Sequence, residues 1–180
     1  NDSALNSNTI TSTINITAVN DAPVLTTGST LAYTENQAAT AIDTAITVAD
    51  PDNATLVSGT VSITGGFATA EDTLAFTNVP ATMGNIAGSY NAATGVMTLT
   101  SAGGTATTAQ WQAALRAVTY ANSSDAPSTA ARTVSFTVND SALNSNTITS
   151  TINITAVNDA PVLTTGSTLA YTENQAATAI

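Results

Sequence analysis

Residues 1–42 and 139–180 are the same 42 letters in the same order, 138 positions apart. An exact internal copy of that length is the mark of a tandem array, and it constrains the fold more than any single motif. Within it, Ala18-Val19-Asn20-Asp21-Ala22-Pro23-Val24 returns as Ala156-Val157-Asn158-Asp159-Ala160-Pro161-Val162. Asn-Asp extends a strand poorly and proline lacks an N–H, so this stretch marks a joint between strands. The frame follows from the joint. One complete module runs over 21–158, 1–20 is the C-terminal strand of the preceding repeat, and 159–180 is the N-terminal strand of the following one.

Inside that frame the chain alternates over short runs closed by turn residues. Pro23–Thr34 reads as a first strand in two parts, broken at Thr27-Gly28-Ser29. Residues 44–49, 56–64, 73–77, 86–90 and 96–100 follow as strands, the last two joined by an Asn91–Gly95 hairpin loop with glycine where positive φ is wanted. Thr107–Leu115 is the exception. A threonine N-cap precedes Trp111 and Leu115 at i, i+4, which predicts a helix of about two turns with Trp111 turned inward. Strands resume at 118–121, at 133–138 with Val134, Phe136 and Val138 on one side, and at 148–156, where Ser150 interrupts Ile148, Ile152 and Ile154. Nine short strands and one short helix predict an all-β, Greek-key, immunoglobulin-like sandwich, tandemly repeated.

Charge narrows the partners. Twelve acids face only Arg116 and Arg132, for a net charge of −10 with no histidine. No basic patch exists to displace counterions from nucleic acid, and anionic membrane surfaces are disfavoured for the same reason. No apolar run reaches the ~18 residues of a membrane span, so no membrane insertion is expected in this segment. The absence of cysteine removes disulfides and thiolate metal sites. Without His, Cys or Lys, a general base or covalent nucleophile is confined to carboxylates, hydroxyls and tyrosine. The expectation is a non-enzyme.

The acids are unevenly placed. In an antiparallel sandwich, the start of the first strand and the ends of the second and eighth share a pole, which gathers Asn20, Asp21, Asp50, Asp52 and Asp140. Glu35, after the first strand, falls at the other pole beside Asn158 and Asp159. Hard oxygens grouped without cations repel one another unless an ion sits among them, and Ca²⁺ takes six to eight such ligands. For Asp50-Pro51-Asp52-Asn53 the competing reading is an ordinary turn, and for Asn20-Asp21 an Asx-capped linker. Glu71-Asp72 reads as a solvated loop, Arg116 and Arg132 as surface partners of acids. Trp111 is either a core anchor or a sugar-stacking platform.

Glu35-Asn36, Ala49-Asp50-Pro51-Asp52, Val138-Asn139-Asp140 and Val19-Asn20-Asp21-Ala22-Pro23 together resemble the calcium motifs of cadherins. The whole 138-residue period resembles the cadherin-like tandem repeats of giant bacterial surface proteins and RTX-type adhesins. The linker is thinner than a cadherin's, with Ala18 and Ala22 at two of its ligand positions, and the Leu-Asp-Arg-Glu motif is absent. The resemblance implies an extracellular, cell-surface spacer whose joints are stiffened by calcium, with Asn20, Asp21, Asp50, Asp52 and Asp140 at one joint and Glu35, Asn158 and Asp159 at the next. Its partners would be neighbouring identical repeats in the same chain or fibre. Two alternatives are a filament subunit forming a homopolymer by strand exchange or addition, and a carbohydrate-binding adhesin module.

Overall fold

The structure, a computed structural model, describes residues 3–163, 166 and 168–178. Of the flanking pieces, residues 1, 2, 164, 165, 167, 179 and 180 lie outside the described residues. Alternation of large and small side chains places eleven strands in the module. They are β1 (Val24–Thr26), β2 (Thr30–Thr34), β3 (Thr40–Ala41), β4 (Thr47–Ala49), β5 (Ser58–Gly65), β6 (Asp72–Ala75), β7 (Ile86–Asn91), β8 (Val96–Ser101), β9 (Thr119–Asn122), β10 (Arg132–Asn139) and β11 (Ile148–Thr155). One layer is the six-stranded sheet β2-β11-β10-β5-β8-β7, and the other consists of the β3-β9-β6 and β1-β4 pieces. The expected all-β sandwich is present. Beyond the anticipated strands it has the two-residue β3, and beyond the anticipated helix a single turn, α1 (Pro80–Met83).

The first strand does break in two, and the break moves the chain between layers. β1 pairs antiparallel with β4, and β2 pairs in parallel with β11. Thr27 takes φ 72° at the crossing. Gly28 passes so close to β11 that a Cβ there would lie 2.0 Å from the Thr149 carbonyl oxygen. Gly28→Ala is therefore expected to destabilise the module by about 2–3 kcal/mol, since a backbone atom cannot yield as a side chain can. Gly166, the same residue in the second copy, has nothing within 4 Å of that position. Gly166→Ala should leave the urea midpoint unchanged, and equal effects of the two substitutions would refute the assigned frame.

The layers meet in one core. Tyr33 of β2 and Tyr120 of β9 touch edge to face with centroids 5.0 Å apart, in the geometry that aromatic quadrupoles favour. Helix α2 (Thr108–Arg116) starts on a capping box, in which Thr107 accepts from the Gln110 N–H and Gln110 reaches back to the Thr107 N–H. It buries Trp111 and Leu115, and the Trp111 indole N–H donates to the Leu56 carbonyl at 3.0 Å. The indole is a core anchor, which removes the sugar-stacking role for that residue. Among the described residues no helix is long and apolar enough to cross a membrane.

Two expectations about charge are corrected. Arg132 is fully buried, not at the surface, and Asp72 is buried beside it rather than in a solvated loop. The guanidinium grips the carboxylate through Nε at 2.9 Å and Nη2 at 3.3 Å. Asp72 also accepts from the Tyr120 hydroxyl (2.6 Å), the Asn122 amide (2.8 Å) and the Ala68 N–H (2.7 Å). A thin aromatic core thus closes around one saturated ion pair, the form in which a buried charge is tolerated. Among the described residues Arg116 pairs with no acid; its Nε donates to the Ile46 carbonyl at 2.7 Å. Ser150, in phase with the isoleucines of β11, is buried and donates to Asp43 at 3.0 Å.

Candidate metal sites at the two poles

At the proximal pole, β4 ends in Asp50-Pro51-Asp52-Asn53. Asp50 Oδ1 accepts the N–H groups of Asp52 (2.9 Å) and Asn53 (2.7 Å), an Asx turn that holds the loop in shape. Asp52 Oδ2 accepts the Asp21 N–H at 2.6 Å. The Asn20 amide donates to Asp140 Oδ2 at 2.8 Å, and the Asn53 amide donates to Asn20 Oδ1 at 2.7 Å. Asp140 Oδ1 takes the N–H groups of Ala142 (2.7 Å) and Leu143 (2.6 Å). The Asn20 amide foremost, then the Leu143 N–H, holds the Asp140 carboxyl below the usual aspartate range. Strand parity therefore places Asn20, Asp21, Asp50, Asp52 and Asp140 in one connected cluster, and the structure adds Asn53 to it.

At the distal pole, Glu35 follows β2 and is only 5% exposed. Its N–H donates to the Thr155 carbonyl (2.9 Å) and its Oε2 accepts the Val157 N–H (2.7 Å), so the end of β11 and the start of the linker are tied to it. Glu35 lines an open cavity of about 550 Å³ with Asp125, Pro127, Val157, Asn158 and Asp159. Asp125 was not legible as a site residue: it lies in the loop after β9, which strand parity does not place. Arg132 steadies that loop by donating from Nη1 to the Ser128 (3.0 Å) and Ala130 (2.5 Å) carbonyls.

The donor chemistry suits a hard cation in part. Asp50, Asp52, Asp140 and Glu35 each spend an oxygen on a backbone N–H, and among the described residues no group of three or more carboxylates is arranged to hold a metal ion. Two of the remaining oxygens are buried: Asp50 Oδ2 and Glu35 Oε1, one at each pole, have no hydrogen-bond partner among the described residues. A buried carboxylate oxygen without a donor is costly, and an unplaced ion or water is a standard reason for one.

The fold and its poles define an all-β sandwich module with an acidic linker at either end. Over 124 residues, 68% of its length, the chain is 38% identical to Halomucin of Haloquadratum walsbyi (strain DSM 16790 / HBSQ001). The matched stretch spans about 1% of the length of that protein. No family model matches the chain, and no solved structure matches it.

Proposed function

We propose that the chain is a spacer repeat of a very large extracellular surface protein, stiffened by calcium at the linkers between modules. The observation that carries this reading is that one linker sequence occurs at both poles, each time beside a buried acid oxygen with no partner. Asn20-Asp21 bonds Asp52 and Asp140 at the start of the module, with Asp50 tied in through the Asp52 and Asn53 N–H groups, and Asn158-Asp159 lines one cavity with Glu35 and Asp125 at its end. In an array the same linker would serve both at once, so two bodies would contribute enough hard oxygens for Ca²⁺. Cell-surface placement is supported by the similarity to a protein named as a mucin and of far greater length. The reading is of a non-enzyme, in keeping with the all-β fold and the narrow set of reactive side chains.

The mechanism is electrostatic. Without an ion the acidic poles repel and the joint bends; with one, the linker loses freedom and the array extends. Extracellular modules bind Ca²⁺ with Kd of about 10⁻⁴–10⁻³ M. Titrating calcium into a two-module protein while recording small-angle scattering should increase the radius of gyration in that range, with magnesium ineffective. Asp52→Asn should move the midpoint about tenfold higher, or 1.4 kcal/mol. A radius indifferent to millimolar calcium would remove the calcium from the reading and leave the spacer.

A further inference from the structure

We propose that Asn153 is a site of N-linked glycosylation, and that its oligosaccharide stands off the outer face of the six-stranded sheet. Within the module, Asn53, Asn122, Asn139 and Asn153 each begin an Asn-X-Ser/Thr triplet, the acceptor sequence for such a sugar. The fold separates them by what their amides already hold. Asn122 is 5% exposed, donates to Asp72 at 2.8 Å and accepts the Ser124 N–H at 2.9 Å. Asn53 donates to Asn20 at 2.7 Å inside the proximal cluster. Asn139 donates to Asn144 and accepts the Ser141 N–H, both at 2.7 Å. Asn153 is exposed, and among the described residues its side chain is bonded to nothing.

The strand aims Asn153 outward. Ile152 (0% exposed) and Ile154 (6%) enter the core, so Asn153 and Thr155 share the opposite face. They stand about 6.6 Å apart along it, at ~3.3 Å per residue. Thr155 carries the hydroxyl of the triplet and is itself exposed. Crowding is slight: β2 sets only Ala32 beside Asn153, and the pairing with β10 ends one residue earlier, at Arg132 opposite Ile152. The outward positions of the whole sheet are Ser, Thr, Asn, Ala and one valine, with no ionisable group. The acidic clusters lie at the poles, so this broad face has no charge of its own to keep a second copy away. A bulky, hydrated sugar supplies that separation. At Asn122 the same sugar would break into the Asp72 network, and at Asn53 it would crowd the linker.

The co-reactant is an oligosaccharide carried on a lipid phosphate or diphosphate and met during export. The Asn153 amide nitrogen bonds the anomeric carbon, and the bond from that carbon to the phosphate oxygen breaks. The lipid phosphate leaves with the electron pair, and the amide gives up one proton to the transferase. The inference rests on the extracellular placement of the chain and not on calcium. Its test is the full chain secreted from a host whose transferase reads Asn-X-Thr. Trypsin can cut only after Arg116 and Arg132, so Asn122 falls in peptide 117–132 and Asn153 in 133–180. Amidase release of the sugar in heavy-oxygen water, against an untreated control, should leave labelled aspartate at Asn153 and none at Asn122 or Asn139. Thr155→Ala should remove the label and Thr155→Ser retain it, both with parental β circular dichroism. The proposal is overturned if the secreted, folded chain is bare at Asn153, if Asn122 or Asn139 is labelled equally, or if Thr155→Ala keeps the label. Occupancy is read without calcium, so a bare Asn153 leaves linker stiffening untouched, and a failure of stiffening leaves the sugar in place.

Discussion

Replacing Arg132 by Met is expected to lower the unfolding free energy by about 3–5 kcal/mol, because it leaves the Asp72 carboxylate buried without a countercharge. For a module of this size that is a fall in Tm of roughly 10–20 °C. Arg116→Met is the control. It removes a single hydrogen bond to the Ile46 carbonyl and should cost no more than about 1.5 kcal/mol. Replacing both Asp72 and Arg132 by apolar residues should recover only part of the loss. The Tyr120 hydroxyl, the Asn122 amide and the Ala68 N–H would then lack their acceptor, each a penalty of about 1–3 kcal/mol. Equal effects of the two arginine substitutions on chemical denaturation would show that the ion pair contributes nothing special.

The same network sets the pH profile. Burial pushes the Asp72 carboxyl up, but Arg132, Tyr120, the Ala68 N–H and Asn122 together outweigh it, and the net shift is downward. A carboxyl held lower in the folded chain than in the unfolded one adds stability above its ordinary value near 3.8, and loses it as pH falls through the folded value. Asp140 acts in the same direction. Burial first, then the bond to Asp72, pushes the Tyr120 phenol up, so its contribution is present below about pH 10 and lost on further rise. Stability should therefore be flat from about pH 4 to about pH 10 and fall at both ends, more steeply in acid once Asp72 takes up a proton. Arg132→Met should shift the acid limb to higher pH, because the largest single stabiliser of the Asp72 anion is gone.

What could be read from the letters was whatever neighbouring letters decide. The two-part first strand, the Asn91–Gly95 hairpin and the Thr107 cap all depend on residues within a few positions, and all are where the spacing put them. The repeat demonstrates the point. Tyr171 bonds the Gln175 carbonyl in the second copy just as Tyr33 bonds that of Gln37 in the first, so the turn after β2 forms wherever its sequence occurs. The strands do not, because β2 and β11 exist only where partners lie alongside. Composition misled where it overrode phase. Arg132 is in step with Val134, Phe136 and Val138, Asp72 with Leu74, and Ser150 with Ile152; the alternation already pointed each of them inward. Strand parity was enough to sort the acids between the poles, but Asp125 sits in a loop held by Arg132, and no period reaches it.

Trp111→Ala is expected to cost about 3–5 kcal/mol, the range for emptying a fully buried large aromatic site. The cavity is only part of the consequence. The N-terminal turn of α2 and the residues leading into it hold the segment that follows the Asp50–Asn53 loop: Thr108 N–H donates to the Ala54 carbonyl (3.1 Å), Leu56 N–H to the Ala106 carbonyl (3.0 Å), and Thr55 bridges Thr107. The indole N–H on the Leu56 carbonyl fastens the same segment from inside. Trp111→Phe retains most of the packing but strands that carbonyl, and about 1–3 kcal/mol should be lost. In both variants hydrogen exchange should accelerate at the Asp52 and Asn53 amides, which are held by Asp50, well before it does at Val157, which is held by Glu35 at the other end. That outcome would mean that the side chain couples the core to the proximal pole alone. Equal loss of protection at the two poles would mean that the module responds as a single unit, and that the acidic loop owes its shape to the Asx turn rather than to the helix behind it.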